Sequence, residues 1–354
     1  MVYLDANASE PLRPEAAAAM RKAMAVTGNP SSIHAAGRAA RRVLEDAREA
    51  VARRFGAAGA QVVFTSGGTE ADALAVHALG FGRRLIIGAT EHDAVRAAAP
   101  GAAVLPVDRN GVADLAALRR LLDGGPALVC LMLANNETGT IQPVAEAAQL
   151  CRAAGALLHV DAAQAAGRMA VDLRALGADS LAISGHKMGG PPGVGALLIR
   201  DLPVVSPLIA GGGQERGWRG GTQALPAIAG LGAACAVPPA DVSRLRDMLE
   251  QASGALVVGA GAKRIGNTTC LALPGVTAQT QVMRLDLAGF AVSAGAACSS
   301  GKVSRSHVLD AMGLGGLAGE AIRVSLPWNA TEADVTTFAA AYQTMARHLS
   351  HIPA

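Results

Sequence analysis

Residues 156–164 read ALLHVDAAQ and residues 179–197 read DSLAISGHKMGGPPGVGAL. Each opens with a short apolar run and breaks off at polar residues with chemistry, Asp161 and Gln164 in the first, Ser184, His186 and Lys187 in the second. Similar runs recur upstream, as QVVFTS (61–66), RLIIGA (84–89) and ALVCLMLA (127–134), and downstream as GALLIR (195–200). Between them lie helix-length segments such as EADALAVHALG and VAEAAQLCRAAG. Strand-length apolar runs divided by helical segments predict βαβ units and a mostly parallel sheet. Ligands on such sheets bind beyond the carboxyl ends of the strands, so the residues at those ends are the candidates for a site.

The chain outside this region has a different pattern. From about residue 240, the helical DVSRLRDMLEQASG is followed by shorter strands and closing helices, which predicts a smaller α+β domain with its boundary near Pro238. TEADVTTFAAAYQTMARHL opens with a Thr331–Asp334 capping pattern and predicts a long amphipathic helix. The apolar stretch 224–240 is rich in alanine and glycine and is broken by prolines, which suits a buried helix better than a membrane span. The N-terminus carries no basic and apolar signal pattern, so a cytoplasmic chain without a membrane anchor is expected.

Composition narrows the function classes. With 354 residues, 51% hydrophobic and 17% charged, this is an ordinary globular chain. Its 31 basic and 28 acidic residues leave a net charge of +3 without a basic stripe, which argues against a nucleic-acid partner. The five cysteines form no C-x-x-C pair, arguing against both a disulfide framework and a metal site. Cys130, Cys151, Cys235 and Cys270 lie in bland apolar or helical surroundings, where free cysteine acts as a small hydrophobe. Cys298 sits in SAGAACSSGK, among small residues and near Lys302, a setting that favours an accessible thiolate.

The strand ends together suggest one cofactor. In FTSGGTE (64–70) a glycine turn leads straight into a helix, whose free N–H groups suit a phosphate. Asp161, facing a pyridine nitrogen, keeps it protonated and makes the ring an electron sink. Gln164 lies one turn on and reaches a phenolic oxygen. Lys187, at a half-buried strand end, suits an amine of depressed pKa that forms a Schiff base. His92 after RLIIGAT is placed to stack on the ring and move protons, and Asn136 in ANNETGT to bond cofactor or substrate. The group these features share is pyridoxal 5′-phosphate (PLP).

Ten segments then carry a family resemblance, in order, across nearly the whole chain. They are YLDANAS (3–9), GNPSSIHAAGRAAR (28–41), VFTSGGTEADALA (63–75), TEHDAV (90–95) and NNETG (135–139). They continue with HVDAAQAAG (159–167), SGHKMGGPPGVGAL (184–197), GGGQERGWRGGT (211–222), SAGAACSSG (293–301) and IRVSL (322–326). The sequence resembles the cysteine desulfurases of the class V aminotransferase family, of the nitrogen-fixation and iron–sulfur-cluster type.

The resemblance implies the PLP-dependent transferase fold of type I. Its large α/β domain, residues 13–238, would hold a mostly parallel seven-stranded sheet flanked by helices. Residues 1–12 plus 239–354 would form the small α+β domain that carries the catalytic cysteine. By the same resemblance Lys187 bears the cofactor, Asp161 pairs with the pyridine nitrogen, Gln164 meets the phenolic oxygen and His92 stacks on the ring. Gly68, Thr69, Ser184 and His186 hold the phosphate, and Thr222 reaches the phosphate of a second subunit, implying a homodimer. Arg323, helped by Asn7 and Asn136, clamps the substrate carboxylate. L-cysteine would give L-alanine, its sulfur passing to Cys298 as a persulfide and on to an acceptor protein such as an iron–sulfur scaffold. Selenocysteine lyase, cysteine sulfinate desulfinase and other class V aminotransferase activities remain as alternatives. One departure stands out, because Ser9-Glu10 occupies the place where many members carry Thr-Thr.

Overall fold

The computed structural model describes residues 1–201, 207–295 and 305–350. The chain begins with strand β1 (Val2–Tyr3) and helices α1 (Pro14–Met24) and α2 (Ala35–Arg54). Strands β2 (Val62–Thr65), β3 (Arg84–Gly88), β4 (Ala103–Leu105) and β5 (Ala127–Cys130) alternate with helices α3 (Gly68–Gly80), α4 (Asp93–Ala98), α5 (Leu115–Leu122) and α6 (Val144–Ala153). Strand β6 (Leu157–Asp161), the single turn α7 (Leu173–Leu176) and strands β7 (Ser180–Ser184) and β8 (Gly195–Ile199) follow.

These seven strands, β2 to β8, form one sheet in the order β2-β8-β7-β6-β5-β3-β4. The pairs β4–β3, β3–β5, β5–β6 and β6–β7 are parallel, while β8 runs antiparallel to both β7 and β2. The reversal at β8 follows from its connection. Residues 185–194 contain only a 3-10 turn, Gly185–Lys187, and no crossover helix, so the chain folds straight back. Gly189 sits in this connection with φ +78°, and a Cβ there would meet the Arg13 side chain at 2.6 Å, so glycine is required on both counts. The sheet's strands are buried throughout except at the starts of β3 and β6 and in β4, and they pack as a continuous core with α2, α5, α6 and α8 (Leu225–Ala236). Helix α2 shows why: Ala40, Leu44, Ala47 and Val51 recur at three- and four-residue spacing and are all buried. Helix α3 covers the other face, its Ala71, Leu74 and Ala75 meeting Ala182, Leu197 and Ile199.

The remaining elements are α9 (Ser243–Ser253), β9 (Leu256–Val258), β10 (Thr268–Ala272), α10 (Ala278–Leu287), β11 (Phe290–Ala291) and β12 (Ser293–Ala294). After them come α11 (His307–Ala311), β13 (Ala321–Ser325) and α12 (Glu332–Ser350). An antiparallel sheet of order β12-β13-β10-β9 packs against α9, α10 and α12 around Leu271, Ile322, Val324, Phe338 and Tyr342. Phe290 meets Phe338 edge-on, with ring centroids 5.5 Å apart. The N-terminal segment belongs to this second core. Strand β1 pairs parallel with β11, Leu4 is fully buried there, and Asp5 bridges to Ser325. Thr331 and Asp334 exchange reciprocal hydrogen bonds at the start of α12, as the capping pattern predicts. Among the described residues no helix is long and apolar enough to cross a membrane.

Beyond β1 the chain runs from Asp5 to Glu10 across the carboxyl ends of the large sheet. Ala6 N–H donates to Ser325 O at 3.1 Å, and Glu10 N–H donates to His186 O at 2.8 Å. This strap ties the second core to the loop that carries Lys187.

Candidate active site

Strands β6 and β7 lie side by side with Asp161 opposite Ala182, so Asp161 and the Ser184–Lys187 turn share the carboxyl end of the sheet. Helix α3 starts at the same end, and no side chain caps its N-terminus. A Cβ added to Gly68 would fill the space against Ser184 Cβ, 3.4 Å away, and Ala163 Cβ, 3.9 Å away. The helix start, β6 and β7 thus close on one cradle with N–H groups directed into it, a setting for an anion.

Lys187 donates through Nζ to the carbonyls of Asn7 and of Ala8, the latter at 3.1 Å. Burial, with the Arg323 and Arg168 guanidinium groups nearby, pulls its pKa down from 10.5 to about 7, against the smaller opposing pull of Asp5 and Asp161. Near neutral pH a large share of this amine is therefore unprotonated, the form that acts as nucleophile or base. Gln164 Nε2 donates to the same Asn7 carbonyl at 3.2 Å, so the amide and the amine converge.

Asp161 is buried, and its Oδ1 accepts from Ala163 N–H at 2.8 Å. The described residues make no other hydrogen bond to this carboxylate. Burial raises its pKa, while the Ala163 bond, His92 and Lys187 draw it back. A cation opposite Asp161 would restore its ionised form, as a protonated ring nitrogen does. Behind it, His159 is held between Ser180 Oγ (2.8 Å) and Asp72 Oδ1 (3.0 Å). Burial pushes His159 to about 3 and Asp72 well up, so both are driven toward their uncharged forms.

Arg323 on β13 is buried at the opposite side of the site. Its Nη2 pairs with Asp5 Oδ1 at 2.7 Å, its Nη1 donates to Asn136 O at 3.3 Å, and its Nε has no partner among the described residues. An unmatched buried N–H beside a half-formed fork suits a carboxylate ligand.

The remaining candidates fall into three groups. Ser184, buried, and His186, half-buried, stand at the cradle; His186 faces Ser9 Oγ at 3.4 Å, and burial lowers its pKa to about 4. His92 caps α4, its Nδ1 accepting from Ala94 N–H at 3.1 Å, which leaves the ring exposed and Nε2 outward. Thr69 is exposed beside the cradle, and Thr222 is exposed on the loop that follows Arg219. That loop is anchored where Glu215 meets Arg48 (2.6 Å) and Phe64 N–H (2.9 Å), and where Arg219 meets Glu70 (2.8 Å).

Asn7 sits in a network of its own. Its amide hydrogens go to Asn136 O (3.0 Å) and Thr268 Oγ1 (2.9 Å), and its Oδ1 accepts from Asn267 at 3.1 Å. Its backbone carbonyl receives Lys187 and Gln164. Sequence reasoning also passed over Asp5, Glu10 and Arg168, which hold Arg323, the strap and Gln164. The departure at Glu10 was the only local signal for any of them.

Cys298 lies outside the described residues. The flanks of its segment are placed, however. Ser293 pairs with Arg323 across β12 and β13. Glu137, next to Asn136, accepts from Ser306 Oγ at 2.6 Å, and a Cβ on Gly295 would meet its Oε2 at 2.8 Å.

Residues 2–338 match the family described as aminotransferase class-V. A curated protein of Cereibacter sphaeroides named cysteine desulfurase is 45% identical, over 94% of this chain and 92% of that protein. The structure of a NifS-like protein from Rickettsia africae superposes with a TM-score of 0.90 at 33% identity, covering 98% of this chain and 99% of that one. A structure of SspA in complex with cysteine superposes with a TM-score of 0.80 at 29% identity, covering 92% and 99%.

Proposed function

Since the chain belongs to the class V aminotransferase family, we propose that it is a PLP-dependent cysteine desulfurase that converts L-cysteine to L-alanine and collects the sulfur on Cys298. The observation that carries this reading is the convergence of Lys187 Nζ and Gln164 Nε2 on one carbonyl beside the buried carboxylate of Asp161. Lys187 would hold the cofactor covalently, Asp161 would face its ring nitrogen, and Gln164 its ring oxygen. Gly68, Thr69, Ser184 and His186 would receive its phosphate, and His92 would lie against its ring. Bound PLP supplies an electron sink next to the substrate α-carbon.

The chain's own residues do the rest. Arg323 orients the substrate by its carboxylate, with Asn136 beside it. Lys187, its amine poised near neutrality, would take the proton from the α-carbon. The Cys298 thiolate then attacks the substrate sulfur. The carbon–sulfur bond breaks, its electron pair stays with the carbon that becomes the alanine methyl after protonation, and Cys298 keeps the sulfur as a persulfide. An acceptor protein, such as an iron–sulfur scaffold, would take it from there. The proposal extends to a homodimer, in which the exposed Thr222 meets a second copy's phosphate. It also places the protein in the cytoplasm, where a chain with four buried free cysteines suits a reducing compartment.

The test is the absorption spectrum of the purified protein, followed by addition of L-cysteine with alanine and Cys298 persulfide quantified. A yellow protein that forms alanine and labels Cys298, while Cys298→Ser binds PLP without forming persulfide, supports the reading. A yellow protein that yields pyruvate or a keto acid overturns the desulfurase activity and keeps the cofactor.

A further inference from the structure

Three separate segments meet on Glu10, which is 8% exposed. Its backbone N–H donates to His186 O at 2.8 Å, in the loop of Lys187. Its Oε1 accepts from Trp328 N–H at 2.6 Å, and its Oε2 accepts from Arg168 Nη2 at 3.2 Å. Arg168, whose side chain is also buried, divides its fork. Nη2 also donates to Ala6 O at 3.0 Å, and Nη1 donates to Gln164 O at 2.9 Å and to Gln164 Oε1 at 3.0 Å.

The last contact sets a polarity. A guanidinium has donors only, so the atom it holds in the Gln164 amide is the oxygen. The nitrogen is thereby turned the other way, onto the Asn7 carbonyl that Lys187 shares. A glutamine without such a partner is free to present either end. Arg168 suits the task because its planar fork spans four acceptors, which the single ammonium of a lysine does not. A buried guanidinium in turn requires a counter-charge, and Glu10 is the carboxylate in contact with it.

We propose that Arg168 and Glu10 are positioning residues for the active site: Arg168 fixes the Gln164 amide with its nitrogen toward the reacting centre, and Glu10 holds Arg168 in place while tying it to the Lys187 loop and to Trp328. The proposal rests on the PLP reading, in which Gln164 donates to the ring oxygen. A hydrogen bond to that oxygen changes the colour of the bound cofactor, so the spectrum reports on Gln164 independently of turnover.

The experiment compares wild type, Arg168→Lys, Glu10→Gln, Gln164→Ala and the Arg168→Lys/Gln164→Ala double variant, each reconstituted with PLP. Wild type is measured first; if it binds no PLP or forms no alanine from L-cysteine, the functional reading fails and the pair falls with it. Given a working wild type, Arg168→Lys and Gln164→Ala are expected to shift the absorption maximum in the same direction. Each is expected to lower kcat about tenfold, the loss of one charge-assisted or well-placed hydrogen bond, with KM within about twofold. The double variant is expected to match Gln164→Ala alone, because Arg168 acts through that residue. Glu10→Gln keeps an acceptor for Trp328 and removes the charge facing Arg168, and is expected to give a smaller shift in the same direction. Additive effects in the double variant overturn the proposal. So does an Arg168→Lys protein that melts earlier yet keeps the wild-type spectrum and kcat, since the pair then serves stability alone. Should Arg168→Lys fail to fold, Glu10→Gln decides, and an unchanged spectrum there overturns the proposal equally.

Discussion

Lys187 has two sides, and they are built in different ways. On the strand-end side the groups are set locally. Asp161 closes β6 and bonds Ala163 two residues on, His92 caps its own helix, and Gly68 opens α3 directly after β2. On the strap side the contacts that reach Lys187 and Arg323 are remote in sequence, as with Lys187 to Asn7, 180 residues apart, and Arg323 to Asp5, 318 apart. In the proposed function the strand ends would supply the chemistry, while the strap supplies carbonyls and carboxylates in contact with Lys187, Arg323 and Arg168. Substitutions on the first side should therefore remove the reaction with little effect on folding, and those on the second should shift affinity and titration.

The largest effect is expected for Lys187→Ala. Turnover with L-cysteine should fall on the order of a thousandfold, and the visible absorbance of the bound cofactor should disappear. The cofactor-free variant should be no less stable than wild type in thermal unfolding, because a buried amine is disfavoured by desolvation. A large loss of stability would break the contrast, giving Lys187 a structural part as well.

Next is the titration of Lys187 itself. In the cofactor-free chain, its reactivity toward an amine-directed reagent should rise with pH around a midpoint of about 7, where an ordinary lysine waits until 10.5. Between those values the unfolded chain binds more protons at this position than the folded one. The contribution of Lys187 to stability therefore rises with pH from about 7 to 10.5 and levels off outside that window. A midpoint near 10 would mean that burial and the two arginines exert no hold on the amine.

The division between the two sides also marks what the sequence made legible. Asp161, Ser184 and Lys187 fall where apolar runs stop, so strand periodicity and residue chemistry point to them together. The parallel sheet followed from the same alternation, but the reversed direction of β8 did not, because GALLIR looks like any other buried strand. The missing crossover helix before it was the available signal. The partners of Asn7 were hidden in another way, because nothing local reveals that Asn136, Thr268 and Asn267 meet its amide. Glu10 and Arg168 are 158 residues apart, and only the fold puts a carboxylate and a guanidinium together under Gln164.

Arg323→Ala tests the strap side at its strongest point. Losing a guanidinium that grips a carboxylate should raise KM for L-cysteine roughly 10- to 100-fold, with a smaller change in kcat. Steady-state kinetics with L-cysteine decides this, and unchanged saturation would remove Arg323 from the substrate site.

Asp5→Asn should give the smallest effect and draws the finest line between charge and geometry. The asparagine keeps an oxygen for Arg323 Nη2, so the fork stays oriented, and KM should move by less than about threefold, as for a partly exposed ion pair. The charge is lost, however, and Asp5 is one of two carboxylates that hold the Lys187 pKa up against Arg323 and Arg168. The midpoint of Lys187 reactivity should consequently fall below that of wild type, by less than about one unit for a single charge in a partly hydrated site. A fall in midpoint with KM preserved would show that the strap acts on Lys187 through its field. A raised KM with the midpoint unmoved would make Asp5 a support for Arg323 alone, and the tuning of Lys187 would then belong to burial and the two arginines.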